Sequence, residues 1–293
     1  MEEFYLPMRD GFKVSVLYAP VEHPKALVQI VHGAWEHKER YRRFIRLLNN
    51  SGYSLILHDQ RGHGKSFAES HPKENRKEIN QRIEDIFQIS SYRKEKNPNR
   101  KLFLLGHSMG SREARLYLRN HDERIDGLIL TGAPSPRKAG VFGVFLAKML
   151  YPFTGGKHGH NQLLKKMAGL DKPLDQWLSY SKANIEDVEK DKEQLTTFDN
   201  EGYTVRFKRA GELAKPKKFN CRNPSLPILF ACGEDDPVTG YEKGRKKSEK
   251  RLRQAGYKDI ERKVYPKRRH EVLNEENHSL VDQAILGFLS AHC

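Results

Sequence analysis

The stretch Leu102-Phe103-Leu104-Leu105-Gly106-His107-Ser108-Met109-Gly110 decides the fold. Four consecutive apolar residues predict a buried strand, a G-x-S-x-G turn closes it, and Arg112 to Arg119 reads as the helix that follows. A turn this sharp needs small residues on both sides of the serine. It leaves Ser108 at the strand end on a strained backbone, and the next helix aims its first N–H groups at any negative charge that develops there. Serine attacks poorly until a base takes its proton, so the rest of the chain should supply a base and an acid to orient it.

Working outward, the same texture repeats. Phe12 to Tyr18 alternates loosely, Ala26 to Val31 (ALVQIV) and Tyr53 to Leu57 (YSLIL) are strand-like, and Gly127 to Leu130 (GLIL) is another. Between them, Arg40 to Leu48 repeats Tyr41, Phe44, Ile45 and Leu48 at helical spacing, and Gly52 stands where a helix C-cap is expected. Glu78 to Lys94 predicts a long polar helix with Ile79, Ile83, Ile86 and Phe87 on one face. Strand–helix–strand repetition with near-continuous apolar strands predicts an α/β fold, a mostly parallel sheet flanked by helices and joined by right-handed crossovers.

After Thr131 the pattern breaks. Pro134, Pro136, Gly140, Pro152, Gly155, Gly156 and Gly159 punctuate the next residues, and no strand is evident as far as Asn223. This predicts an inserted helical cap over 134–223, with the α/β core formed by 1–133 and 224–293. The α/β texture resumes at Pro227 to Cys232 (PILFAC) and Ile260 to Tyr265. An amphipathic helix closes the chain through Leu280, Val281, Ile285, Phe288 and Leu289.

In a Ser…Asp…His order the acid and base follow later strands. After PILFAC come Glu234, Asp235 and Asp236, all candidates for the acid; after the next strand comes His270. His270 would act as base and then acid, and the carboxylate would hold its tautomer. The loop His32-Gly33-Ala34-Trp35-Glu36-His37 after ALVQIV supplies a second requirement, backbone N–H groups for a tetrahedral oxyanion. With the residue after the serine, this names the amides of Ala34 and Met109, while His32 and Glu36 are expected to brace the loop. His58-Asp59-Gln60-Arg61-Gly62-His63-Gly64-Lys65-Ser66 contains ligand-type residues but reads as a structural turn. His158 and His160 lack a nearby third ligand. No metal site and no organic cofactor is expected.

Composition bounds the function. Of 293 residues, 37% are hydrophobic and 10% aromatic, enough for a core, and Lys+Arg of 53 against Asp+Glu of 38 gives a formal charge of +15. No nucleic-acid motif accompanies the charge, so no nucleic acid is expected as a partner. An anionic membrane surface remains open as a transient contact. Three cysteines, an odd and sparse set, argue against a disulfide scaffold. The first residues lack an apolar signal core, and no apolar run approaches the ~18 residues of a membrane span. These features set the expectation of a cytoplasmic protein; oligomeric state is not legible.

Together HGAWEH, HDQRGHGKS, GHSMGS, GEDDPV and RRH resemble the α/β-hydrolase superfamily, in its monoacylglycerol lipase and lysophospholipase branch, grouped with serine aminopeptidase-like hydrolases. The motifs span residues 32 to 270 and speak more to fold and triad than to substrate. The resemblance implies Ser108 as nucleophile, Asp236 as acid, because it directly precedes Pro237-Val238, His270 as base, and Ala34 and Met109 at the oxyanion positions. Ser111 departs from the second glycine of many relatives.

The implied activity is hydrolysis of carboxylic esters, chiefly single-chain acyl lipids such as monoacylglycerol or lysophospholipid, through an acyl-serine. One alternative is an amide or peptide hydrolase, for which Glu186, Asp187 and Glu189 could anchor an ammonium. Another is an inactive hydrolase fold binding anionic membrane or nucleic acid. Val141 to Phe153 is strongly apolar, and Phe142, Phe145 and Met149 are its candidates for lining an acyl pocket or touching lipid. The basic runs Arg245 to Arg253 and Lys263 to Arg269 could attract phosphate-bearing lipids, though a charge run is usually a solvated face.

Overall fold

A computed structural model describes residues 1–66, 76–137, 140–168, 171–193 and 198–293, without the side chains of 76–80 and 141. The expectations placed on the Ile79 and Val141 side chains therefore lie outside the described residues.

Eight strands form one sheet: β1 (Glu2–Pro7), β2 (Lys13–Ala19), β3 (Leu27–Val31), β4 (Ser54–His58), β5 (Leu102–His107), β6 (Gly127–Thr131), β7 (Ile228–Gly233) and β8 (Ile260–Tyr265). Their spatial order is β1-β2-β4-β3-β5-β6-β7-β8. The first two strands pair antiparallel, β2 pairs antiparallel with β4, and the remaining ladders are parallel.

Successive side chains of a strand point to opposite faces, and both faces here are covered, so the central strands carry no polar alternation. Val28, Ile30, Phe103, Leu105 and Leu229 pack with Phe44, Ile45 and Leu48 of α1 (Arg42–Asn50) and with Val281, Ile285 and Leu289 of α9 (Ser279–His292). Their neighbours Leu27, Val31, Leu102, Leu104 and Phe230 pack on the other face. There they meet Ile86 of α2 (Arg76–Lys96), Tyr117 and Leu118 of α3 (Met109–His121), and Leu252 of α8 (Tyr241–Ala255). The one polar residue inside ALVQIV is fully buried and hydrogen-bonded: Gln29 Nε2 donates to the Ile86 carbonyl at 3.2 Å, and Gln29 Oε1 accepts from Ser90 Oγ at 2.6 Å.

Between β6 and β7 the described residues contain helices and no strand: α4 (Gly140–Leu150), α5 (Gln162–Ala168), α6 (Lys182–Lys190) and α7 (Asn200–Leu213), with short 3-10 turns. Asp199 caps α7 by accepting from the Gly202 N–H at 2.8 Å, and Ser181 caps α6 by accepting from the Asn184 N–H at 3.3 Å. Ala147, Leu164, Trp177, Phe198, Tyr203 and Phe207 form a separate apolar cluster there. It reaches the sheet domain through Trp35.

Candidate active site

The turn after β5 has the backbone that the motif requires. Ser108 sits at φ 49°, ψ −112°, a conformation that costs a non-glycine residue of order 1–3 kcal/mol and persists only where its surroundings enforce it. The neighbouring glycines leave room for it. A Cβ at Gly106 would stand 2.7 Å from the Gly110 carbonyl oxygen, and one at Gly110 would stand 2.6 Å from the His32 carbonyl oxygen and collide with that of Val31. Helix α3 begins at Met109, so Ser108 lies at its positive end.

Two later strand ends complete a chain of hydrogen bonds. His270 Nε2 lies 2.7 Å from Ser108 Oγ, and His270 Nδ1 lies 2.9 Å from Asp236 Oδ2. The other Asp236 oxygen accepts from the Val238 N–H at 2.8 Å and the Thr239 N–H at 3.3 Å, which fixes the carboxylate. Asp236 is fully buried, and His270 and Ser108 nearly so. Of the three acids after β7, the geometry brings Asp236 to the histidine; Asp235 instead accepts from the Tyr180 hydroxyl at 3.0 Å.

The loop after β3 closes over this chain. Ala34, Trp35 and Glu36 line the cavity above Ser108 together with His107, Trp177, Arg206 and Glu271. That cavity measures about 20 Å³, room for about one water molecule. Glu36 accepts from the Gly33 N–H and from the Tyr41 hydroxyl at 3.0 Å, so it braces the loop, as expected. Nδ1 of His32 lies 2.7 Å from the Gly33 carbonyl, and its Nε2 accepts from the Gln60 N–H at 2.9 Å. Asp59 accepts from the Lys38 N–H and Nζ at 2.8 and 2.7 Å and from the Lys65 N–H at 2.9 Å, which makes HDQRGHGKS a braced turn.

Sequence reasoning missed Glu271 and its network. Its Oε2 accepts from Arg40 at 2.8 Å, Asn184 at 2.9 Å and Asn274 at 3.0 Å. Burial and the Glu271 charge push the Glu36 carboxyl above its usual range. Burial acts on Glu271 as well and is the largest single influence, but the Arg40 and His107 charges and the hydrogen bonds from Asn274 and Asn184 together outweigh it and hold Glu271 down. His107, buried and 3.0 Å from Thr131 Oγ1 through Nδ1, is pushed down to about 3 by burial and by His270. Glu36, His107 and Glu271 bring one ligand-type atom each within 4.8 Å of the others. Arg40 and the amide donors already satisfy those carboxylates, so the cluster reads as a hydrogen-bond network. Its only sequence signal was an acid directly beside His270.

For three candidates the sequence left pocket lining and lipid contact both open. Phe142, Phe145 and Met149 do not line the cavity over Ser108; they are 64%, 59% and 55% exposed. The reason is the orientation of α4. It turns Val144, Ala147 and Leu150 into the apolar cluster with α7, so the opposite face looks outward. The proposed ammonium anchors are also displaced: Asp187 lines a different cavity, and Glu186 and Glu189 are exposed. His158 Nδ1 pairs with Asp199 at 2.9 Å, and His160 Nδ1 lies 3.2 Å from the Phe198 carbonyl.

Comparison with known proteins adds the lineage. The family described as Hydrolase_4, serine aminopeptidase S33, matches residues 22–277. Human monoglyceride lipase is 32% identical over 150 residues, which are 50% of this chain and 48% of that one, so the chain spans about half the length of this relative. Monoacylglycerol lipase of Mycolicibacterium smegmatis is 21% identical over 286 residues, 94% of this chain and 92% of that one. Among solved structures, a thermostable carboxyl esterase from Bacillus coagulans in complex with glycerol superposes with a TM-score of 0.85 at 25% identity. That match covers 99% of this chain and 98% of the other.

Proposed function

Because the chain belongs to the serine aminopeptidase S33 family, in the monoacylglycerol lipase-like branch of the α/β-hydrolases, we propose that it hydrolyses carboxylic esters of single-chain acyl lipids, monoacylglycerol or lysophospholipid, through an acyl-serine. The observation that carries the reading is the 2.7 Å approach of His270 Nε2 to Ser108 Oγ on a strained turn. Ser108 Oγ attacks the ester carbonyl carbon and gives its proton to His270 Nε2. Asp236 holds the Nδ1–H tautomer and stabilises the imidazolium. The carbonyl oxygen, now an oxyanion, accepts from the N–H groups of Ala34 and Met109. His270 then protonates the departing alcohol, and a water that it deprotonates cleaves the acyl-serine.

Residues 134–223 act as a cap in this reading. A cavity of about 20 Å³ admits no acyl chain, so the cap lifts before substrate binds. The exposed Phe142, Phe145, Met149 and Phe153, with Lys148 and Lys157 beside them, support a transient contact with anionic membrane. No described helix is long and apolar enough to cross a membrane. The three free cysteines support a cytoplasmic setting.

The testing experiment is steady-state hydrolysis of p-nitrophenyl esters from acetyl to palmitoyl by wild type and Ser108→Ala. Activity with a medium- or long-chain optimum, lost by several orders of magnitude in the variant, supports the proposal. Equal rates in both proteins refute it. Preferential cleavage of aminoacyl amides would instead favour the peptidase reading, with Glu36 and Glu271 as the carboxylates that line the cavity over Ser108.

A further inference from the structure

A second cavity, of about 170 Å³, adjoins the one over Ser108, because Arg206 and Val238 line both. Its wall carries Arg112 from the first turn of α3, Arg137 from the loop after β6, Lys172, and Arg206 from α7. Ser135 adds a hydroxyl, and none of the described lining residues is Asp or Glu.

Gathering four cations around one cavity is electrostatically unfavourable, and more so where water is excluded. Arg112 is 3% exposed. Burial, then the charges of Arg112 and Arg137, push Arg206 down to about 9. Arg115, one turn further along α3, is fully buried and also held down to about 9, by burial and by Arg112. Backbone carbonyls take some of these donors: Arg112 Nη1 donates to the Arg206 carbonyl at 3.3 Å, and Arg115 Nη2 to that of Pro134 at 2.9 Å. Carbonyl groups bring no negative charge, and the buried Glu113, which lines the neighbouring cavity with Arg112 and Arg206, brings one carboxylate to a group that there also includes Arg82 and Arg209. The positive end of α3 adds to the same potential.

What offsets such a cluster is an anion. Guanidinium forks match the oxygens of a phosphate group two at a time. We propose that this cavity is an oxyanion subsite that binds a phosphate-type group beside the ester attacked by Ser108. The group is either part of the substrate, as in an acylglycerol phosphate, or a free anion held next to it. The substrate role rests on the reading of Ser108 as nucleophile; the binding of the anion does not.

The test has two arms. In the first, inorganic phosphate is titrated calorimetrically into the full-length Ser108→Ala protein, alone and combined with Arg206→Gln or with Arg137→Gln. Arg137 is exposed, so its variant stays informative if Arg206→Gln misfolds. Phosphate should bind, and each arginine change should weaken it about tenfold or more. In the second, kcat/KM is compared for a monoacylglycerol and its 3-phosphate with the same acyl chain. The phosphate ester should be preferred, and the preference should fall with the same two changes.

Phosphate binding without preference for the phosphate ester supports the subsite with a free anion as its ligand. Phosphate binding with no hydrolysis of either ester supports the subsite and removes the catalytic reading. Absence of phosphate binding, or binding that neither arginine change weakens, overturns the proposal.

Discussion

The Trp35 ring stands 5.2 Å from that of Phe198, so the loop that carries the Ala34 amide is tied to the segment leading into α7. Trp35 holds φ 66°, in the left-handed region, where a bulky residue costs of order 1–3 kcal/mol. Burial of the ring among Trp177, Leu164 and Phe207 offsets that cost, since a core Trp is worth about 3–5 kcal/mol against truncation. The same ring helps close the cavity over Ser108.

Trp35→Gly should therefore do two things. It should lower stability by about 2 kcal/mol, a packing loss of about 3–5 kcal/mol less a relieved strain of about 1–3 kcal/mol, as read by urea denaturation. It should also raise the ratio of long-chain to short-chain ester hydrolysis severalfold, because the plug is gone. A lower stability with an unchanged ratio would mean that Trp35 packs the cap without gating the site.

Asp236→Asn isolates the role of the acid. Its Oδ1 still accepts from the Val238 and Thr239 N–H groups, so the loop should keep its shape. The amide no longer favours the Nδ1–H tautomer of His270, and kcat should fall by about three to four orders of magnitude, with an unchanged circular dichroism spectrum. A loss of tenfold or less would move the acid to another residue.

The sequence made the central strands legible because both faces of the sheet are buried. ALVQIV, YSLIL, LFLL, GLIL and PILFAC each fall on a strand. The β1 edge was not legible. Strand β1 half-buries only Phe4 and Leu6, against Met8, Val14, Val16 and Ile56, a half-exposed pattern too short to stand out among charges. The run Arg245 to Arg253 reads as a solvated face, yet α8 turns Gly244, Arg245, Ser248 and Leu252 inward. At the site, residues fixed by local turn geometry were readable, as at Ser108. Pairs made across 231 positions, such as Arg40 with Glu271, leave no periodic trace. Phe142, Phe145 and Met149 show the same limit: apolarity does not say which face of α4 meets α7.

The two buried carboxylates set a pH dependence. Burial and Glu271 raise the Glu36 proton affinity above that of the unfolded chain. The native state then holds a proton that the unfolded chain releases. Stability contributed by Glu36 thus falls as pH rises from the ordinary carboxylate range to the raised value. Glu271, held down, contributes stability that is lost as pH falls below that range. Glu36→Gln keeps an acceptor for the Gly33 N–H and cannot ionise. Between about pH 5 and about pH 8 its stability should decline less than that of wild type, by on the order of 1–3 kcal/mol. Parallel denaturation curves would show that Glu36 does not titrate there.

The outward face of α4 yields a separate expectation. Phe142→Ser with Phe145→Ser should reduce sedimentation with vesicles containing phosphatidylserine about tenfold or more, since each exposed phenyl group stands to lose transfer energy of order 1–3 kcal/mol. Hydrolysis of a soluble short-chain ester should change little. Equal vesicle binding by both proteins would assign that face to something other than lipid.

The most direct test of the central claim is the site of covalent modification. Wild-type protein treated with an alkyl p-nitrophenyl phosphonate should gain one phosphonyl adduct by intact-mass spectrometry, and peptide mapping should place it on Ser108. His270→Ala should gain it far more slowly, because Ser108 then lacks its base. An adduct on another residue, or none where wild type still hydrolyses esters, would contradict Ser108 as the nucleophile.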